Sequence, residues 1–384
     1  MRPVRRSRRW LSEGQRDIMS TDNTDGKIIT MVIPTYRRPQ LLRRAISSVL
    51  NQTHPHVRVC VYDNASGGKT ETVVRDIMRR DSRVIYHRHS ENIGTYRNFN
   101  YGIMDVKTPF FTLMSDDDML APTFYEDALK AFEKYPDAML VCMPTMVVDS
   151  ELNVIGAPIE VKGMTYYRAG DALRESVKGS IPCSMWSGIL FRTEVRDQIG
   201  HPDPDAGPFA DAGYLWHAVA RFPLVVLSGV AALYMVHPHN MGTEVRMTPL
   251  DGTWPGWWEK MIKTVETDEQ VTPEVRSQIR EFVYPDFRKL AYHQVFFFLG
   301  AGRPDLARLT VSGIRACGLI ITPLLFAAIV WAYGHIPLAR KAFMRAIEIR
   351  HAKTKVRRRQ LHLKYGHYVA FAQKLQDAAD AFNV

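Results

Sequence analysis

The stretch Pro109–Pro122, "PFFTLMSDDDMLAP", runs from an apolar segment straight into three consecutive carboxylates, Asp116, Asp117 and Asp118. Like charges at contact distance repel, so the triplet calls for a positive species beside it. A strand end can present closely spaced carboxylates to a hard divalent cation, and Mg2+ prefers one or two protein carboxylates plus phosphate oxygens. A metal–diphosphate complex suits that arrangement. The competing reading is a solvated turn in which Asp118 caps the next segment.

Two further clusters have chemical potential. Asp63 in "VYDNAS" either accepts hydrogen bonds from a base or ribose edge or closes an Asx turn. "ENIGTYRNFNYG" holds Asn92, Gly94, Arg97 and Asn100. Gly94 allows close backbone approach to a ligand and Arg97 suits a phosphate; a helix start with surface polar groups is the alternative. No GxGxxG follows the first strand and no GxxxxGK[ST] occurs, which disfavours dinucleotide dehydrogenases and P-loop enzymes.

These clusters need elements to position them. "KIITMVIP" reads as a buried strand ended by Pro34, and "RPQLLRRAISSVLNQ" has helical apolar spacing. "VRVCVYD", "RVIYH" and "FFTLMSDDD" follow as strands, with helices over "TETVVRDIMRR" and "IGTYRNFNYGIMD" between them. Alternating strands and helices imply a mainly parallel sheet covered on both faces. Ligands of such sheets lie beyond the carboxyl ends of the strands, where "PTYRR", "DNAS" and "SDDD" should converge. After the triplet come a helix, "TFYEDALKAFEKYP", and one strand, "AMLVCMPTMVVD". Further strands are "SGILFR", "LVVLSG" and "AALYMVH", with a helix around "DAGYLWHAVARF". Beyond about Met247 the pattern is helical, including a long amphipathic segment interrupted by Pro285 and a nearly apolar "LIITPLLFAAIVWAYG".

Composition sets the frame. The 384 residues are 46% hydrophobic and 23% charged, as for a chain that buries a core. The net charge of +10 concentrates in "MRPVRRSRRW" and "IRHAKTKVRRRQ". Cys60, Cys142, Cys183 and Cys317 are scattered without a CxxC pair, the pattern of buried thiols in a reducing compartment rather than a zinc site or disulfide framework. No apolar stretch follows the first basic one, so it does not read as a signal peptide; Met19 is an alternative start. The organisation expected is a basic, disordered leader over 1–26, a catalytic domain over 27–245 divided near 118, and a helical tail over 246–384.

In order, "VIPTYRRPQLLRRAISSVLNQT", "VYDNAS", "ENIG" and "LMSDDDMLAP" resemble the family 2 glycosyltransferases, over roughly Lys27 to Asn240. That resemblance implies the GT-A fold: a Rossmann-like mixed α/β sheet flanked by helices, here with a C-terminal α-helical extension. It implies an inverting transfer from a nucleoside-diphosphate sugar, a UDP-sugar as first guess, with Mg2+ or Mn2+. Pro34, Thr35, Tyr36 and Arg37 are implied to line the nucleotide site, with Asp63 at the base and Asn92, Gly94, Arg97, Asp116 and Asp117 completing the donor pocket. Asp116–Asp118 stand for the Asp-x-Asp element, although Ser115 replaces its usual first aspartate. Asp118 is favoured as metal ligand, assisted by Asp116 or Asp117. "PFADAGYLWHAV" places Asp211 where the family carries its base, with Ala210 in place of the usual Glu; Asp203 and Asp205 are local rivals, and a helix N-cap is the structural alternative. "LYMVHPHNMGT" resembles the segment whose histidine approaches the metal or diphosphate, which selects His237 over His239. A binding or scaffold protein that keeps the fold without turnover is the alternative function.

The tail suggests where the enzyme works. The apolar core from Leu319 to Tyr333 is shorter than the about 20 residues of a spanning helix and contains Pro323. The basic amphipathic helix after it suits an anionic leaflet. The expectation is a cytoplasmic protein held peripherally on the inner face of the plasma membrane, with a glycan or lipid-linked acceptor in cell-surface polysaccharide synthesis. A core helix with a solvated basic end is the other reading. Basic tails also bind nucleic acid, but no recognition motif accompanies this one, so no nucleic acid is expected.

Overall fold

All residues of the first strand, β1 (Ile29–Thr35), are buried in the computed structural model, which describes residues 26–183, 185–238, 240, 248–250, 253–316 and 323–380. β2 (Val57–Asp63) and β4 (Phe110–Leu113) flank β1 in parallel, and β3 (Val84–Arg88) lies parallel on β2. A strand covered on both faces needs apolar residues throughout, which is why β1 reads without alternation. The crossovers are α1 (Pro39–Leu50), α2 (Gly68–Met78) and α3 (Thr95–Asp105). α1 starts with Pro39 in its first turn and buries Leu42, Ala45, Ile46 and Val49 at helical spacing. Burying each larger aliphatic side chain contributes about 1.5–3 kcal/mol.

The second half continues through β5 (Met119–Leu120), α4 (Phe124–Lys134), β6 (Leu140–Cys142), β7 (Thr145–Asp149), β8 (Val154–Gly156) and β9 (Met164–Tyr167). Then come α5 (Leu173–Val177), β10 (Ile189–Arg192), α6 (Thr193–Ile199), α7 (Ala210–Arg221), β11 (Leu224–Leu227) and β12 (Ala232–Val236). The large sheet has eight strands in the order β3-β2-β1-β4-β10-β6-β11-β9, and a second sheet runs β5-β12-β7-β8. This is the mixed sheet of a GT-A fold. The segment "AMLVCMPTMVVD", expected as one strand, is two, because the chain changes sheets at Met143–Pro144. Pro144 has no N–H to give a ladder; its carbonyl accepts from the Ala231 N–H at 2.7 Å.

The tail comprises α8 (Trp254–Glu266), α9 (Pro273–Gly300), α10 (Pro304–Ala316), α11 (Pro323–His335), α12 (Pro337–Tyr365) and α13 (Ala370–Asp380). Pro285 does not interrupt α9 as expected. Val283 and Phe287, both buried, pin the helix on either side of it, Phe287 stacking on Trp258 at 4.6 Å. The tail shares its core with the sheet: Trp254, Val283 and Phe298 belong to the same cluster as Phe191 and Leu215. At its end α13 returns to α1, where Arg44 Nη1 donates to Gln376 Oε1 at 2.6 Å. No described helix is long and apolar enough to cross a membrane. Cys60, Cys142 and Cys183 are free and buried. The basic leader, His239, Cys317 and the start of the apolar run lie outside the described residues.

Gly102 seats α3 on the sheet. A Cβ there would collide with Val32 Cγ1 and come within 3.0 Å of Tyr62 Cδ2. Gly102→Val should lower the urea midpoint by an amount worth about 1–3 kcal/mol through overpacking; an unchanged midpoint would mean the helix has slack over β1.

Candidate functional site

The strand order turns at β1, and the crevice such a switch creates opens beyond the carboxyl ends of β1 and β4. A cleft of about 1680 Å³ occupies it. Pro34, Thr35 and Tyr36 reach it from the end of β1, Asn64 from the end of β2, and Asp116, Asp117 and Asp118 from the turn after β4. Arg38 also lines it and Arg37 does not. Arg37 has a left-handed backbone (φ 56°) that sends its guanidinium over the Tyr36 ring, 4.9 Å from the centroid. Arg38 is the cap residue before Pro39, so its side chain lies over the start of α1 and across the strand ends. Proline one residue into the helix was the signal that could have distinguished the two.

The triplet is buried and heavily tied. Arg38 Nη1 donates to Asp116 Oδ1 at 3.2 Å and to Asp117 Oδ2 at 3.0 Å. Thr35 Oγ1 donates to Asp116 Oδ2 at 2.7 Å, and His237 Nε2 lies 3.0 Å from Asp117 Oδ2. Asp118 is engaged elsewhere: it accepts from the Met235 N–H at 3.1 Å and from Ser187 Oγ at 3.2 Å. The next residues are held by α1, since Ser48 Oγ accepts from the Leu120 N–H and Gln52 Nε2 donates to the Ala121 carbonyl. Burial, and then the neighbouring Asp117 charge, push the Asp116 carboxyl up to about 6, against the pull of Arg38 and Thr35. Burial and the charge of Asp117 likewise push Asp118 well up.

The remaining donor-side residues divide. Asp63 is fully buried outside the cleft, accepting from the Ser66 N–H at 2.8 Å and from the Tyr86 hydroxyl. It closes a turn, and Asn64 is the residue that faces the cleft. Asn92 Oδ1 accepts from Asn64 Nδ2 and from the Gly94 N–H, fixing the loop before α3. Gly94 has φ 86°, a conformation that favours glycine, at the start of that helix. Arg97 is exposed and does not line the cleft, whereas Asn98 and Asn100 do. Asn100 Oδ1 is buried without a hydrogen-bond partner among the described residues.

Asp211 lines the same cleft from the first turn of α7. Burial pushes its carboxyl up to about 6, opposed only by backbone N–H groups, with the Ala212 N–H at 2.7 Å. No cation pairs with it among the described residues. Tyr96 faces it, and burial together with that carboxylate pushes the phenol up. Asp203 and Asp205 are exposed and outside the cleft. Trp186, which motif reading missed, also lines the cleft, with its ring stacked on Tyr214 at 5.3 Å and 5.6 Å from the Phe191 ring. "SMWSG" carries no periodicity, so only a tryptophan in a short segment with Ser187 and Gly188 hinted at it.

The donor set can be tested against a divalent ion. Among the described residues no three acidic, histidine or cysteine side chains form a ready cage. Asp116 and Asp117 nevertheless share one full positive charge on Arg38, with the His237 imidazole alongside. Two carboxylates completed by phosphate oxygens are what Mg2+ accepts, so the residues fit.

Comparison with known proteins gives the lineage. The model of glycosyl transferase family 2 matches residues 30–200. This region is a family 2 glycosyltransferase domain. It is 30% identical over 122 residues to an uncharacterised glycosyltransferase of Rickettsia typhi, covering 31% of this chain and 37% of that one. It is 31% identical over 115 residues to the abequosyltransferase RfbV of Salmonella typhimurium, covering 29% of this chain and 33% of the relative. The chain thus spans about a third of the length of these relatives. In fold, TarS 1-349 of S. aureus, solved in complex with UDP-GlcNAc, superposes with a TM-score of 0.55 at 13% identity, covering 85% of this chain and 92% of that chain.

Replacing Arg38 by Ala removes the cation that the buried aspartates share. Without added divalent metal, stability should fall by about 1–3 kcal/mol, the value for a broken buried pair reduced for partial exposure. The urea midpoint measures this, and an unchanged midpoint would mean the aspartates are held by their other partners alone.

Proposed function

We propose that this protein is an inverting glycosyltransferase that moves a sugar from a nucleoside-diphosphate sugar, a UDP-sugar first, to a hydroxyl of a glycan or lipid-linked acceptor in cell-surface polysaccharide synthesis. One observation carries the reading. A single cleft is lined both by a carboxylate pair that holds a cation and by a separate, uncompensated carboxylate whose burial pushes it up to about 6. The first suits a diphosphate with its counter-ion. The second suits a base, because a hydroxyl is a poor nucleophile until its proton is removed during attack.

Pro34, Thr35, Tyr36 and Asn64 would hold the nucleoside end, and Asp116, Asp117 and His237 would hold a divalent ion such as Mg2+ or Mn2+. Bound there, the ion would offset charge on the departing diphosphate. Asp118, tied to Met235 and Ser187, is better suited to fixing the loop than to leading the ligand set. Asp211 takes the acceptor proton as the acceptor oxygen bonds to the anomeric carbon; the bond to the diphosphate oxygen breaks on the opposite face. Trp186, in the cleft lining, would offer apolar ring surface to a sugar.

Peripheral attachment to the inner face of the plasma membrane belongs to the same proposal. Trp331, Ile336 and Leu338 are exposed on α11, on α12 and between them, beside exposed Arg340, Lys341 and Arg345. Apolar side chains rimmed by cations suit an anionic leaflet.

A panel of nucleotide sugars tests the reading: metal-dependent release of the nucleoside diphosphate is expected from at least one, and EDTA should abolish it. Failure with every donor would leave a binding protein without turnover. Asp211→Asn should reduce transfer by at least about 100-fold, within the usual range for a general base, while donor affinity stays within a few-fold. The base must be ionised, so the wild-type rate should fall as pH drops through about 6; an acid limb that persists unchanged in Asp211→Asn would assign the base elsewhere. In flotation with anionic vesicles at low salt the protein should rise with the lipid, and recovery in the soluble fraction would sink the membrane assignment.

A further inference from the structure

The cleft is larger than one donor needs. Small-molecule sites usually enclose about 300–1,000 Å³, and this one reaches about 1680 Å³, with a lining that extends into the helical tail. The continuation runs between α9 and α12. Its walls are Leu290, Phe296 and Phe297 from α9, and Ile347, Arg350 and Arg358 from α12.

α12 is anchored at both ends and spans the cleft between them. Near its start, Phe343 stacks on Phe296 at 6.4 Å and Ile347 packs against Gly300. Near its end, His362 Nδ1 accepts from the Val154 N–H at 3.3 Å, and Lys364 and Tyr365 both reach Glu160 at 2.9 Å. The stretch between presents Ile347, Arg350, Thr354 and Arg358 to the cleft. These positions fall three, four and four residues apart, one face of a helix. Arg350 and Arg358 lie about 12 Å apart along the axis at 1.5 Å per residue. No carboxylate pairs with either among the described residues, and the carboxylates that line the cleft, Asp116–Asp118 and Asp211, come from the turn after β4 and from α7, not from the tail. An apolar wall facing unpaired guanidinium groups selects a ligand that is greasy and anionic at once, and guanidinium is well matched to phosphate.

We propose that this arm binds the acceptor, and that the acceptor is an amphiphile with a phosphate or diphosphate head: the head meets Arg350 and Arg358, and its chain lies along Leu290, Phe296, Phe297 and Ile347. The proposal rests on the glycosyltransferase reading, since it takes the cleft that Asp211 also lines to be the one that receives an acceptor.

The full chain should be titrated with farnesyl diphosphate, farnesol and inorganic pyrophosphate. Farnesyl diphosphate should bind at least tenfold more tightly than either fragment. Arg350→Gln combined with Arg358→Gln should weaken it at least tenfold, as should Ile347→Glu, which acts on the apolar wall. Arg357→Gln, on another face of the helix, should leave it unchanged. Equal affinity in the double variant would overturn the proposal. Pyrophosphate binding as tightly as farnesyl diphosphate would also overturn it, because the arginines would then serve the donor diphosphate. So would a double variant that loses only binding to anionic phospholipid vesicles, which would put the arginines on the bilayer. Failure of the glycosyltransferase reading is distinguishable: the wild type would hydrolyse no nucleotide sugar, while the farnesyl diphosphate titration still reports on the arm.

Discussion

Three adjacent carboxylates with almost no water around them set the terms for the rest of this structure. An isolated buried carboxylate protonates or finds partners, and here five partners come from four segments. β1 supplies Thr35, the cap of α1 supplies Arg38, the loop before β10 supplies Ser187, and β12 and its exit supply the Met235 N–H and His237. Each anchor belongs to an element fixed by apolar packing, so the hydrophobic core indirectly determines how much charge the turn can hold.

The two walls of the cleft are therefore built differently. The wall carrying the triplet rests on parallel strands paired on both sides, and its polar atoms are almost all engaged. The part of the lining that comes from α7 rests on the aromatic cluster around Trp186 and Tyr214, and there Asp211 is left electrostatically uncompensated among the described residues. A tightly neutralised wall suits a ligand that brings its own charge balance. An uncompensated carboxylate keeps its affinity for a proton. The chemical asymmetry follows from the change from sheet to helix across the cleft.

Much of this was legible in the sequence, and what was not has physical causes. The buried strands and amphipathic helices of the first half announce themselves by period, and the polar strand ends then converge because a parallel sheet requires it. Side-chain direction was harder. Arg37 and Arg38 are equivalent letters, and only the left-handed backbone at Arg37 and the proline at 39 send the second inward. Asp63 closes its own strand with Ser66, a local hydrogen bond that competes with ligand recognition and cannot be weighed from spacing alone. The chain's change of sheet at Pro144 was hidden inside one apolar run. The path of α12 was the least visible of all, because neither composition nor period says that a basic helix near the end of the chain crosses the cleft and docks beside Val154.

The contact between α13 and α1 joins residues 332 positions apart, from Arg44 to Gln376. During synthesis at about 5–20 residues per second, α1 waits tens of seconds for that partner. The strands that follow it can pair and collapse meanwhile, yet the outer side of α1 stays uncovered until the last described helix has left the ribosome. A nascent chain of this protein thus carries an incompletely covered first helix for most of its translation, and the order of synthesis separates the collapse of the sheet from the closing of its outer layer.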